Sequence, residues 1–300
     1  MESVDWQVRA PLGTPAFWHK WCAWQADAIR EAWAQVQQPP GDPSYRPQYL
    51  TEIGHFHLEL MLRLYSAGAP IGELAPWFDG LLRAWEQSQA LEPTVYPPAI
   101  VQSRRTWAIN FDLYQECAWL ISLALVLEIP DMQWQRLLLL MGNEGQDAVL
   151  DALIASRQRD RRIGSRVLYP KPYARLQAVI LAQPAERPAL LRDFVSHWYA
   201  ELDRKATKGR PALCNRLYWY ALGDENFEGG GYFGRWCLEA AAAAKAFKID
   251  DSLCCGHEHY PGDLLRPDGP SIHPRRVFAE PLPASEAGST PWWRRWFGAK

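Results

Sequence analysis

Apolar residues recur at three- and four-residue spacing through most of the first 250 positions of this chain, and windows that alternate with β-branched residues are almost absent. Such a pattern commits the chain to amphipathic helices that bury their stripes against one another, so the expected fold class is all-α. Proline and glycine set the breaks. The spacing predicts a helix over 15–36, with Trp18, Cys22 and Ile29 on one side, stopped by Pro39-Pro40-Gly41. A second runs over 47–66 with Ile53, Phe56, Leu60 and Leu64 on one stripe. A third, over 71–89, carries Leu74, Trp77, Phe78, Leu81, Leu82 and Trp85. A long fourth spans 100–127, Asp131 is expected to cap a fifth over 132–141, and 143–156 gives a sixth. Helices resume over 172–182, 187–204, 211–222 and 234–247.

Between the two series the chain changes character. From Arg157 to Arg175, Arg157, Arg159, Arg161, Arg162, Arg166, Lys171 and Arg175 stand against Asp160 alone, with Gly164 and Pro170 as breakers. This reads as a surface connector, either simply solvated or docked on an acidic partner surface. The expected organisation is an N-terminal helical domain (1–156), a basic connector (157–170), a C-terminal helical domain (171–265) and an irregular Pro-rich tail (266–300) ending in Trp292-Trp293-Arg294-Arg295-Trp296-Phe297. The two packed halves suggest an internal duplication. A shift of 120 residues aligns Cys117, Ala124 and Ile129-Pro130-Asp131 with Cys237, Ala244 and Ile249-Asp250-Asp251, and a shift of 113 brings Trp85 onto Trp198.

Composition excludes several function classes. A formal net charge of −2 argues against direct nucleic-acid binding. The six cysteines include no CxxC pair and suit free thiols in a reducing compartment. The first 15 residues lack an apolar run, and the most apolar segment, 119–129, is too short to span a bilayer, so a cytoplasmic protein without membrane association is expected. Catalytic signatures are missing: there is no GxSxG, Walker A or HExxH motif. Gly229-Gly230-Gly231 reads as a flexible loop. His55 and His57, two apart on a helix, point to different faces. Cys254, Cys255, His257 and His259 are too crowded for a zinc site, and Glu225 and Glu228 run straight into the glycines. No catalytic residue, metal or cofactor is assigned, and the chain is not expected to be an enzyme.

The segment 223–263 is acidic: Asp224, Glu225, Glu228, Glu239, Asp250, Asp251, Glu258 and Asp263 oppose Arg235, Lys245 and Lys248. It reads either as ordinary solvated surface or as a face for a basic protein. Within it, Trp236, Glu239, Ala240, Ala243 and Phe247 share one helix side, so Glu239 is expected to be buried, structural, and satisfied by an Arg, Tyr or Trp donor.

The run Tyr232-Phe233-Gly234-Arg235-Trp236-Cys237-Leu238-Glu239-Ala240-Ala241-Ala242, then Lys248-Ile249-Asp250-Asp251, then Tyr260-Pro261-Gly262-Asp263-Leu264, resembles the C-terminal signature of the PoNe-immunity family. The strong match covers 172–265; residues 15–128 resemble the family's N-terminal domain in helical layout. The resemblance implies an immunity protein that binds and neutralises a cognate nuclease (DNase) toxin delivered by a type VI or related secretion system. On that reading Asp224, Glu225, Glu228, Asp250, Asp251 and Glu258 form an acidic toxin-binding rim, with Tyr232 and Phe233 as exposed anchors. Trp236, Glu239, Tyr260, Pro261 and Asp263 form a structural signature. Homo-oligomer formation is compatible with the sequence. The alternative reading is a helical scaffold or adaptor for a non-toxin protein, although no repeat of 30–40 residues is visible.

Overall fold

Eleven α-helices and no strand make up the described residues of the computed structural model, which are 6–39, 41–203 and 217–278. They are α1 (Pro15–Val36), α2 (Arg46–Ala67), α3 (Trp77–Val95), α4 (Pro98–Arg105), α5 (Phe111–Val126), α6 (Asp131–Met141), α7 (Leu150–Ala155), α8 (Pro170–Leu181), α9 (Arg187–Leu202), α10 (Leu222–Glu225) and α11 (Leu238–Phe247). The all-α class and the packed halves follow the sequence reading. The first half of the expected 211–222 helix, residues 211–216, and the Trp292–Phe297 run lie outside the described residues; 218–221 form turns, and the helix there begins at Leu222.

Local chemistry explains where boundaries moved. Thr14 accepts the Phe17 N–H at 3.2 Å, fixing the start of α1. The expected 100–127 helix splits into α4 and α5 because Asn110 turns its carboxamide onto the Leu113 N–H (3.1 Å) and opens a new helix. The 71–89 helix begins instead as a 3-10 turn, Ile71–Glu73, and becomes α-helical at Trp77 after Pro76. Asp131 is not an N-cap: Pro130 holds that position, and the Asp131 carboxylate pairs with Arg157 at 2.6 Å. The 143–156 helix shrinks to α7, since Asp147 accepts the Val149 and Leu150 N–H groups at 2.9 and 2.8 Å. The 234–247 helix starts only at Leu238.

α1 packs on α2, α2 on α3, α3 on α6, and α8 on α9, while α11 lies against α5 and also touches α7, α8 and α9. Ala240 to Ala244 are all buried, so the helix axes of α5 and α11 approach closely. One continuous apolar core runs from Val8 to Leu264 through both halves. Trp18, Trp107, Trp134, Trp198 and Trp236 are fully buried in it, which gives five of the sixteen tryptophans a packing role.

The basic connector is laced to the body. Asp147, buried, accepts the Leu168 N–H (2.8 Å), and Asp151, also buried, accepts Arg161 and the Gly164 N–H (3.1 Å). Arg157 lies over the Trp134 ring and Arg162 reaches Glu144. Arg157 and Arg161 pair with carboxylates that precede the connector, Asp131 and Asp151, while Arg159, Arg162 and Arg166 are exposed.

Candidate functional site

The signature residues are struts between the two halves. Trp236 Nε1 donates to Ser66 Oγ at 2.8 Å, and that hydroxyl donates to the Phe233 carbonyl at 2.9 Å. The buried Arg63 guanidinium reaches the Gly230 and Tyr232 carbonyls at 2.6 and 3.1 Å. Arg9 binds Asp263 at 2.6 Å. Tyr260 donates to Asp251 Oδ2 at 2.6 Å, and Pro261 is buried beside it. Glu239 is buried as expected: Gln115 Nε2 and the Tyr173 hydroxyl each donate to Oε1 at 2.7 Å, and burial pushes its carboxyl above the usual range despite those bonds.

Two expectations are corrected by this packing. Tyr232 and Phe233 are 1% and 3% exposed and stack within the core, so neither is a surface anchor. Asp251 is buried too; burial alone would raise its pKa, but bonds from Arg266 and Tyr260 hold it below the ordinary carboxylate range. Asp224, Glu225, Glu228, Asp250 and Glu258 are exposed, and Asp224 pairs with Arg235. The triple glycine is no flexible loop either. Gly230 and Gly231 are buried, and Gly230, at φ +79°, has its backbone pressed under the Trp21 ring, where a Cβ would come within 2.5 Å.

The histidines and cysteines assemble no metal centre: among the described residues no group of three or more His, Cys, Asp or Glu is placed to hold an ion. His257 is held down to about 4 by burial and by Arg192. His57 is buried and accepts the Trp33 indole N–H at 3.2 Å, in surroundings quite unlike those of His55. No helix among the described residues is long and apolar enough to cross a membrane.

What the sequence reading missed is a cavity of about 360 Å³ between α2, α3 and the start of α5. His55 stands in it, with Nε2 3.0 Å from Glu116 and Nδ1 3.6 Å from Glu52, and the Tyr218 ring stacks on the imidazole at 6.1 Å. Burial works against the imidazolium, but Glu116 and Glu52 outweigh it and raise the His55 pKa well above its usual value. Asp112, which accepts the Tyr218 N–H at 3.1 Å, is raised to about 6 by burial. Burial, and after it the negative charges of Glu59, Glu116, Glu52 and Asp112, push the Tyr218 hydroxyl well above its usual range. The signal was present in the i, i+3, i+7 spacing of Glu52, His55 and Glu59 and the i, i+4 spacing of Asp112 and Glu116, but their meeting across two helices needed the fold.

Similarity to known proteins agrees with this architecture. The crystal structure of protein PA2201 from Pseudomonas aeruginosa superposes with a TM-score of 0.62 over 88% of this chain and 91% of that one, at 19% sequence identity, a likeness that establishes the fold. No curated protein matches the sequence significantly. The model of the PoNe immunity protein (PoNi) N-terminal region matches residues 9–139, and that of the C-terminal region matches residues 145–264. With both regions present in order, and with their signature residues forming the joint between the halves, the chain belongs to the PoNe immunity proteins, a family of inhibitors rather than enzymes.

Proposed function

We propose that this protein is a cytoplasmic immunity protein that binds a cognate DNase toxin, delivered by a type VI or related secretion system, and holds it inactive. The observation that carries the reading is the match of both immunity regions, in order, over nearly the whole chain. A nuclease needs a basic surface to track phosphates, and an inhibitor with exposed carboxylates meets such a surface quickly and in a fixed orientation. Asp224, Glu225, Glu228, Asp250 and Glu258 are the exposed acids of the C-terminal half that suit this role. Asp251, Tyr232 and Phe233 drop out of the contact set because the fold uses them internally.

Co-expression tests the reading. Cells producing the cognate nuclease toxin are expected to survive only when this protein is also produced; equal killing with and without it, by every PoNe-type nuclease tried, rejects the function. Reversing Glu225, Glu228 and Glu258 to Lys together is expected to slow association about tenfold or more at low salt and to flatten its salt dependence. Stopped-flow mixing reads both quantities.

A further inference from the structure

Residues 266–278 lie beyond both family-matched regions and form no helix, yet they run back across the joint to the first 13 residues. A few side chains and one backbone amide hold them there. Arg266 starts the segment on the Asp251 carboxylate at 2.9 Å, and the Ile272 N–H donates to Asp263 at 2.8 Å. Further on, Arg276 donates to the Ala10 and Gly13 carbonyls at 2.8 and 2.9 Å. Pro267 to Pro270, Pro274, Arg275 and Val277 face solvent, and His273 is the one buried residue of the segment.

His273 works as a plug. Its carbonyl accepts Gln7 Nε2 at 3.0 Å, and its Nε2 is hydrogen-bonded to the Tyr65 hydroxyl of α2 at 3.0 Å. The ring meets Trp236 edge-on with centroids 5.2 Å apart, and Trp236 in turn packs edge-on against Tyr65. The charged and titratable groups around it are Arg9 from the N-terminal segment, Tyr65 from α2, Asp263 before the strap, and Arg266, which is bound to Asp251. Arg9 lies over the Tyr65 ring at 4.9 Å and is already paired with Asp263 at 2.6 Å. A proton on His273 would put a second cation beside Arg9, shut away from water, with Asp263 committed to Arg9 and to the Ile272 N–H. Burial accordingly holds the imidazole down to about 4; Asp263 works against it and Arg9 adds to it.

We propose that residues 266–278 are a pH-sensitive strap: with His273 neutral the strap is closed over the joint between the halves, and protonation of His273 releases it. In the closed strap the ring resists the proton; once released into water it takes one at the ordinary value of 6.5. Closure is therefore complete above 6.5 and weakens as pH falls toward 4. The carboxylates at the joint do not titrate in that range. Although burial raises them, hydrogen bonds from Ile272, Ser271 and Arg9 on Asp263, and from Arg266 and Tyr260 on Asp251, hold both below the usual carboxylate range. They stay ionised while His273 gains its proton. Mild acid thus loosens the strap and the residues 7–13 that it holds.

Hydrogen exchange of the full chain, read by mass spectrometry and corrected for the intrinsic rate at each pH, tests the device. Between about pH 7.5 and pH 5 the strap and residues 7–13 are expected to lose about tenfold or more of their protection, while α5 keeps its own. His273→Gln retains an acceptor for the Tyr65 hydroxyl but cannot titrate, so its strap is expected to be equally protected at both pH values. Burial holds His57 and His257 down to about 4 as well, and the variant separates their effect from that of His273. In wild type the His273 ring, followed by NMR, is expected to titrate near 4. Should the variant fail to fold, wild-type exchange and the ring titration decide. Equal loss of strap protection in wild type and folded variant, wild-type protection that does not change with pH, or a ring midpoint of about 6 or above overturns the proposal.

Discussion

Glu239 is the single residue whose surroundings most clearly fix its chemistry. Its Oε1 takes two hydrogen bonds, while Oε2 has no partner among the described residues. Burial favours the protonated carboxyl, so the folded chain keeps a proton that the unfolded chain releases above the ordinary value of 4.5. Stability from this site is therefore fully present below 4.5 and is lost as pH rises through the raised folded pKa. Glu239→Gln keeps the shape and removes the titration. It is expected to match wild type below pH 4.5 and to gain on it as pH rises toward neutrality, as read from urea midpoints at pH 4 and pH 7.5. An advantage that stays constant across that range refutes the assignment. Much of this residue's setting was legible beforehand, since its place on an apolar helix face requires burial and a donor. His55 was not, because its two carboxylate partners come one from its own helix and one from α5, 61 positions along.

Among the elements, amphipathic helices were easiest to read and the fully buried ones hardest to place. α1 and α3 show an apolar stripe and a polar face, so periodicity gave both their existence and their inner side. α5 and α11 are buried on nearly all sides, and for them periodicity indicates a helix without saying what lies against it. The break at 106–110 was also hidden. It depends on the Asn110 side chain and on Tyr169, 62 residues after Trp107, donating to the Trp107 carbonyl at 2.5 Å. The alanine run of α11 then gains a specific meaning: it sets the spacing to its neighbours. Ala242→Leu adds three carbons where Ala242 is fully buried, and overpacking is expected to cost about 1–3 kcal/mol. Ala246→Leu, at the half-buried end of the same helix, should cost less than about 1 kcal/mol. Guanidinium titrations of both variants check the ordering; equal effects mean that α11 is not tightly packed.

At the scale of the whole molecule, the family signature turns out to describe a joint. Arg9 to Asp263, Ser66 to Trp236 and Phe233, Tyr65 to His273, and Arg63 to Gly230 and Tyr232 all run from the first 70 residues to the last 70 described. A sequence reading finds such residues as a motif but places them on one half, because their partners sit 167 to 254 positions away and follow no local rule. The same joint places the Phe227 and Glu228 loop beside α1, so that contact exists only when both halves are assembled. Sharing one core, the halves are expected to unfold together although the chain carries two family regions. Arg63→Met probes that coupling most directly. It strands two buried carbonyls and leaves Glu59 unpaired, at an expected cost of about 3 kcal/mol. Calorimetry of the variant is expected to show one transition at lower temperature, with tryptophan fluorescence and far-UV circular dichroism falling at the same midpoint. Two separated transitions in wild type or variant mean that the halves fold independently, and the joint then orients them without contributing to a common stability.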